Sequence, residues 1–256
     1  MTHPYRLGYV DVGPRDAPVL LLGPSLGTSR EMWSGPAATL SGDFRVISYD
    51  LLGHGTSDAP DGPYDLGLLG RSVLALLDGL GVASSHYAGV SLGGMVGMWL
   101  AVNAPERIDR LALVCTSAYL PEGNWVERAA QVRAHGTASI ADVIVTRWFT
   151  EAFRESSPQI VAAFANMIAK CPDEGYAGCC EAIAAMDLRA ALPTLCAPTL
   201  VISAEADPST PPPHGETIAT AVPGAEFVVL HNAAHLANVE RADDVAALIA
   251  AFLEGR

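Results

Sequence analysis

Apolar residues fall into short, nearly unbroken runs, separated by longer stretches in which they recur every three or four positions. Residues 19–22, 45–49, 111–115, 199–203 and 227–230 carry such runs, rich in Val, Ile and Leu. Strands covered on both faces need that near-continuous apolar content. Between them, residues 66–80 and 243–253 show apolar positions at helical spacing. Strands alternating with helices predict a mainly parallel sheet joined by right-handed crossovers. One stretch breaks the alternation: residues 122–187 are helical in pattern throughout, as in 125–130 and 140–145. The expected organisation is therefore a core in two parts, 1–121 and 188–256, with a helical insertion at 122–187. The insertion follows a strand, which places it over the carboxyl edge of the sheet. Open α/β sheets hold their sites at that edge, so the insertion is read as a lid.

Composition narrows the class. The 256 residues are 50% hydrophobic and 17% charged, enough for one large core. No stretch approaches the roughly 18 unbroken apolar residues of a membrane helix, and residues 1–6 lack a charged-then-apolar leader. Five cysteines, two of them adjacent at Cys179 and Cys180, suit neither a disulfide framework nor a zinc site. A reduced cytoplasm is the expected compartment. A net charge of −13 argues against a nucleic-acid partner. It also means that an anionic substrate would need a local arginine to offset the general field.

The motif that carries chemistry is Gly89-Val90-Ser91-Leu92-Gly93. Residues 84–88 lead into it as a strand would, and the small apolar residues 94–101 follow as a buried helix. Strand, Gly-flanked turn and helix are the context of a nucleophile elbow. The turn is expected to hold Ser91 in a strained conformation, hydroxyl projecting above the sheet edge. The Leu92 N–H would then sit at a helix start, ready to meet an oxyanion.

A serine hydroxyl needs a base, usually a histidine oriented by a carboxylate. His235 follows the last predicted strand and precedes the C-terminal helix, so a loop can carry its imidazole back over the sheet edge. His231, at that strand's end, is the rival. Asp207 lies just past the strand ending near Ser203, with Glu205 as the alternative acid. His54, in a turn after an earlier strand, is read as structural. The order Ser91, Asp207, His235 is that of α/β-hydrolases. A second oxyanion donor is expected from the loop of residues 23–28, with the Leu26 N–H as the choice.

With Ser25-Leu26-Gly27-Thr28, residues 50–55, the elbow and residues 234–240 in view, the chain resembles the α/β-hydrolases, and more narrowly the 3-oxoadipate enol-lactonases. The narrower likeness lies in the Ser-Leu-Gly-Thr loop, Gly89 to Met95, Arg147-Trp148-Phe149 and Thr210-Pro211-Pro212. Pro24 and Leu52 stand where a polar residue and Arg are common. The resemblance implies an α/β-hydrolase fold, a mostly parallel sheet flanked by helices with a helical cap. It also implies catalytic roles for Ser91, Asp207 and His235, a small anionic lactone as substrate, and neither metal nor organic cofactor. The substrate's free carboxylate calls for a cation in the cap. Arg133 and Arg147 are the expected residues, Arg128 and Arg30 the reserves, and Trp125 and Trp148 the expected apolar walls. Another lactonase, an esterase, a perhydrolase or a non-catalytic receptor would share the same scaffold.

Overall fold

The computed structural model describes residues 5–120 and 124–255. The expected core–insertion boundary at 121/122 lies outside the described residues, as do residues 1–4 of the N-terminal reading. Among the described residues seven strands form one sheet: β1 (Tyr9–Val12), β2 (Val19–Gly23), β3 (Arg45–Tyr49), β4 (Ser85–Val90), β5 (Ile108–Val114), β6 (Thr199–Ala204) and β7 (Glu226–Leu230). Their spatial order is β1-β3-β2-β4-β5-β6-β7. Among the described residues, only the β1–β3 pairing is antiparallel. The expected parallel architecture is therefore present, and each predicted run forms a strand.

β1 has no counterpart among the predicted strands. It is short, at an edge, and exposed at Tyr9, Val10 and Val12, so burial imposes no apolar run on it. The central strands differ: Leu20, Leu21 and Leu22 of β2 and Leu111 to Val114 of β5 are fully buried. Covering that sheet are α1 (Ser34–Leu40), α2 (Leu66–Gly79), α3 (Leu92–Asn103), α9 (Pro212–Ala221), α10 (Ala237–Glu240) and α11 (Ala242–Leu253). α3 packs on β2, β4 and β5, α2 beside α3, and α1 against α11. α2 begins where the Asp65 carboxylate accepts the Leu68 N–H at 2.5 Å, an N-cap that satisfies an otherwise orphaned donor.

Between β5 and β6 the described chain is helical: α4 (Trp125–His135), α5 (Ala141–Trp148), α6 (Glu151–Ser156), α7 (Pro158–Ala169) and α8 (Asp173–Ala185). α4 packs on α8 and α5 on α7. Trp148, Phe149 and Phe164 form a small aromatic core here, with Phe164 edge-on to both others at 6.2 and 5.4 Å. The Leu236 N–H donates to the Trp148 carbonyl at 3.0 Å, tying this layer to the loop after β7. No described helix is long and apolar enough to cross a membrane.

Register aligns the strand ends that matter. Val114 of β5 lies opposite both Val90 of β4 and Ile202 of β6, and Ala204 opposite Leu230. The loops that follow β2, β4, β5, β6 and β7 therefore emerge along one edge.

Candidate active site

Ser91 sits at the β4–α3 junction with φ 54° and ψ −117°, a left-handed conformation that costs a non-glycine residue energy and occurs where the surroundings over-determine it. Those surroundings are visible. The Ser91 N–H donates to the Val114 carbonyl at 3.0 Å, and its carbonyl accepts the Thr116 hydroxyl at 2.7 Å. The flanking glycines have no room for side chains: a Cβ on Gly89 would lie 2.4 Å from the Gly93 carbonyl carbon, and one on Gly93 would lie 2.3 Å from the Gly23 carbonyl oxygen.

The expected acid and base meet. His235 Nδ1 lies 2.8 Å from Asp207 Oδ2, and both residues are buried. Asp207 also accepts the Thr210 hydroxyl at 2.7 Å and the Ser209 and Thr210 N–H groups at 2.7 and 3.1 Å. Burial pushes the Asp207 carboxyl up. The adjacent imidazole, the Thr210 hydroxyl and the Thr210 N–H outweigh it and hold the group below the ordinary carboxylate range. An ionised Asp207 makes Nδ1 of His235 the protonated nitrogen and leaves Nε2 as the basic one. The rivals are elsewhere: His231 and Glu205 pair with each other at 3.2 Å on the surface, 74% and 57% exposed.

Leu92 opens α3 as its first residue, and Leu26 lies in the loop after β2. Neither N–H donates a hydrogen bond among the described residues. Both residues are buried, and Leu26 lines the same cavity as Ser91 and His235. Two unspent donors beside a serine hydroxyl are what a developing oxyanion requires.

That cavity measures about 740 Å³ and is roofed by residues of the helical insertion, within the usual range for small-molecule sites. Trp125, Trp148 and Arg147 line it, as expected; Arg147 also donates to the Pro208 carbonyl at 3.0 Å. Arg133 does not line it. Its guanidinium is turned to Glu174, at 2.8 and 2.6 Å, and to Glu181, so the expected substrate contact at Arg133 is corrected: two carboxylates of α8 already claim its donors. Arg30 is likewise spent on the buried Asp50. Arg128, about a turn and a half before Arg133 on α4, lines the cavity instead. It is half-buried and stacks on the Trp125 ring at 4.6 Å, and it has no carboxylate partner among the described residues.

Several cavity residues carry no sequence signal of their own. Arg189 stacks over Tyr119 at 3.8 Å and is paired with Asp187. His214 donates or accepts at the Ser117 hydroxyl, 2.7 Å away. Tyr176 of α8 contributes to the roof. They come from loops and helices far apart in the chain and share no motif. The lining thus holds Arg128, Arg147, Arg189, His214 and His235, and no aspartate or glutamate among the described residues.

A family model for the α/β-hydrolase fold matches residues 18–242. The chain belongs to the α/β-hydrolase family. This hydrolase is 40% identical over 236 residues to 3-oxoadipate enol-lactonase 2 of Acinetobacter baylyi, covering 92% of this chain and 88% of that one. Its structure superposes on the enol-lactonase from Burkholderia xenovorans LB400 with a TM-score of 0.96 and 41% identity, covering 98% of each chain. A thermophilic esterase from Thermogutta terrifontis, solved with malate bound, gives a TM-score of 0.92 at 30% identity over 98% of this chain and 94% of its own.

Proposed function

We propose that this hydrolase opens a small anionic lactone, 3-oxoadipate enol-lactone, by serine catalysis, as a cytoplasmic step of aromatic catabolism through the β-ketoadipate route. The observation that carries the proposal is the cavity's charge. In a chain of net charge −13, Ser91 opens into a space lined by three guanidinium groups, of which Arg189 is paired with Asp187 behind it, and by no carboxylate among the described residues. Likeness to enol-lactonases over most of the chain supports the same reading.

The chemistry follows from the geometry. Ser91 Oγ attacks the lactone carbonyl while His235 Nε2 takes its proton. Asp207, 2.8 Å from Nδ1, stabilises the imidazolium. The Leu26 and Leu92 N–H groups receive the tetrahedral oxyanion. Collapse breaks the ring C–O bond and expels an enolate, a better leaving group than a simple alkoxide, which stays tethered to the acyl-enzyme, takes the proton held by His235 and becomes a ketone, leaving His235 neutral. Water, deprotonated by His235, attacks the acyl carbon; Ser91 leaves with the proton, and the free dicarboxylate is released. Residues 122–187 act as the cap, and Arg128, half-buried and without a carboxylate partner among the described residues, meets the substrate's free carboxylate. Trp125 and Trp148 supply apolar walls.

An esterase of small acidic esters is the second reading, favoured by a cavity larger than a monocyclic lactone fills and by the likeness to the malate-bound esterase. The deciding assay follows the loss of ultraviolet absorbance of the enol-lactone, beside a neutral p-nitrophenyl ester and Ser91→Ala. Fast, Ser91-dependent lactone turnover far above ester turnover is expected. Ester hydrolysis without lactone preference keeps the serine chemistry and discards the substrate. Activity surviving in Ser91→Ala discards the mechanism.

A further inference from the structure

The loop that carries Leu26 has an anchor for which the reaction above finds no use. His54 lies in the turn after β3, 1% exposed, with both ring nitrogens engaged. Nε2 faces the Gly27 N–H at 2.9 Å, and Nδ1 faces the Leu52 carbonyl at 3.2 Å. A carbonyl only accepts and a backbone N–H only donates, so Nδ1 holds the hydrogen and Nε2 the lone pair. The ring is the neutral Nδ1–H tautomer. Burial drives its pKa down to about 4, against the opposing pull of the Leu52 carbonyl and of Asp50.

The Gly27 N–H belongs to the peptide immediately after Leu26. That peptide enters a tight place: Gly27 has φ +78°, and a Cβ on it would lie 2.9 Å from the Tyr176 ring. On the other side, the Ser25 N–H points to the Met32 sulfur at 3.1 Å, and the Ser25 carbonyl accepts the Thr28 hydroxyl at 2.7 Å. The peptides flanking Leu26 are therefore pinned from both directions. The Leu26 N–H between them is left without an acceptor among the described residues.

We infer that His54 is a positioning residue for oxyanion binding: its Nε2, acting through the Gly27 N–H, holds the Leu26 N–H towards the cavity. The inference rests on the serine reading above. It predicts a loss confined to the tetrahedral state, because the ground-state ester makes little use of an oxyanion donor.

The test compares His54→Leu, which removes the acceptor, with His54→Gln, whose amide oxygen reaches the place of Nε2. His54→Asn is the second acceptor-deficient variant; its short amide serves Leu52 and falls short of Gly27, so it replaces the leucine variant should that one not fold. Each is measured for kcat and KM on an acidic p-nitrophenyl ester, for inhibition by phenylboronic acid, which forms a tetrahedral adduct on a reactive serine, and for Tm. Complete loss of an oxyanion donor costs on the order of 100- to 1,000-fold. A misplaced donor is expected to cost ~10- to 100-fold in kcat and in boronate affinity, with KM within ~3-fold, and the glutamine variant should recover most of both. Unchanged kcat and boronate affinity in the leucine or asparagine variant overturns the inference. So does a loss in the glutamine variant equal to theirs, which marks a role in packing alone. If wild type ignores the boronate and Ser91→Ala keeps its activity, the serine reading itself falls, and this inference with it.

Discussion

Replacing Arg128 by alanine should separate acidic from neutral substrates, and Arg133→Ala, on the same helix, should not. Arg128 reaches the cavity half-buried, stacked on Trp125 and free of any carboxylate partner among the described residues. Its charge is available to a ligand and only partly screened. Removing it strands no protein carboxylate, so the loss reports on the ligand alone. A hydrogen bond to a charged group contributes about 1.5–3 kcal/mol net, and each 1.4 kcal/mol is tenfold. The expected fall in kcat/KM for an acid-terminated ester is therefore ~10- to 100-fold, carried mainly by KM. The methyl-capped ester should change less than ~3-fold, since it offers no charge to lose. Arg133 is already saturated by Glu174 and Glu181 with its side chain 37% exposed. Its loss should leave the acid-to-capped ratio alone and lower stability by no more than about 1 kcal/mol per exposed pair. The assay is kcat/KM on a p-nitrophenyl hemi-ester of a dicarboxylic acid and on its methyl-capped form. Equal losses on both substrates in Arg128→Ala would refute the reasoning, as would a shifted ratio in Arg133→Ala.

Thr210→Val removes the hydroxyl that donates to Asp207 Oδ2 at 2.7 Å. With the carboxyl less well held below its ordinary value, the stability that its ionisation contributes disappears at higher pH. That contribution is present above the unfolded carboxylate value and is lost as pH falls through the folded one, so the acid-unfolding midpoint should move upward, as followed by circular dichroism; an unmoved midpoint counts against Thr210 as a support of the carboxylate. Tyr87→Phe should cost about 1–3 kcal/mol in urea unfolding. The Tyr87 hydroxyl bridges the buried Tyr49 hydroxyl and the Gly93 carbonyl, each at 2.8 Å, and its loss leaves the Tyr49 hydroxyl without that partner beneath the elbow. A neutral result would show that the elbow is held by packing alone.

Much of the site was legible because its parts are local. The turn around Ser91 needs Gly89 because a Cβ there would meet Gly93 and Gly94 a few residues on, while Gly93 answers to the close pass of Gly23 and Pro24 from the neighbouring strand end. Asp207 and His235 each follow a strand whose apolar run announces it, and such strand ends gather along one edge of a parallel sheet. The edge strand β1 escaped notice for the converse reason: its side chains are exposed, so burial writes no pattern into it.

The arginines show where sequence stops. Arg128 and Arg133 lie five residues apart on one helix, each with the composition of an ordinary charged face, and nothing in their neighbours separates them. The separation comes from α8, which packs against α4 and presents Glu174 and Glu181 to one and Tyr176 to the other. His54 is the same case: the sequence places it in a turn, and only the approach of the Gly27 loop, 27 residues away, gives its lone pair a task. Apolar periodicity, glycine punctuation and the order of strand-end residues determined the sheet, the elbow and the Ser91–Asp207–His235 sequence, because each depends on contacts close along the chain or on burial that every strand must satisfy. Which cations face the cavity, and which are spent on neighbouring carboxylates, was decided by tertiary packing, because a charge takes its meaning from whatever lies within a few ångströms of it.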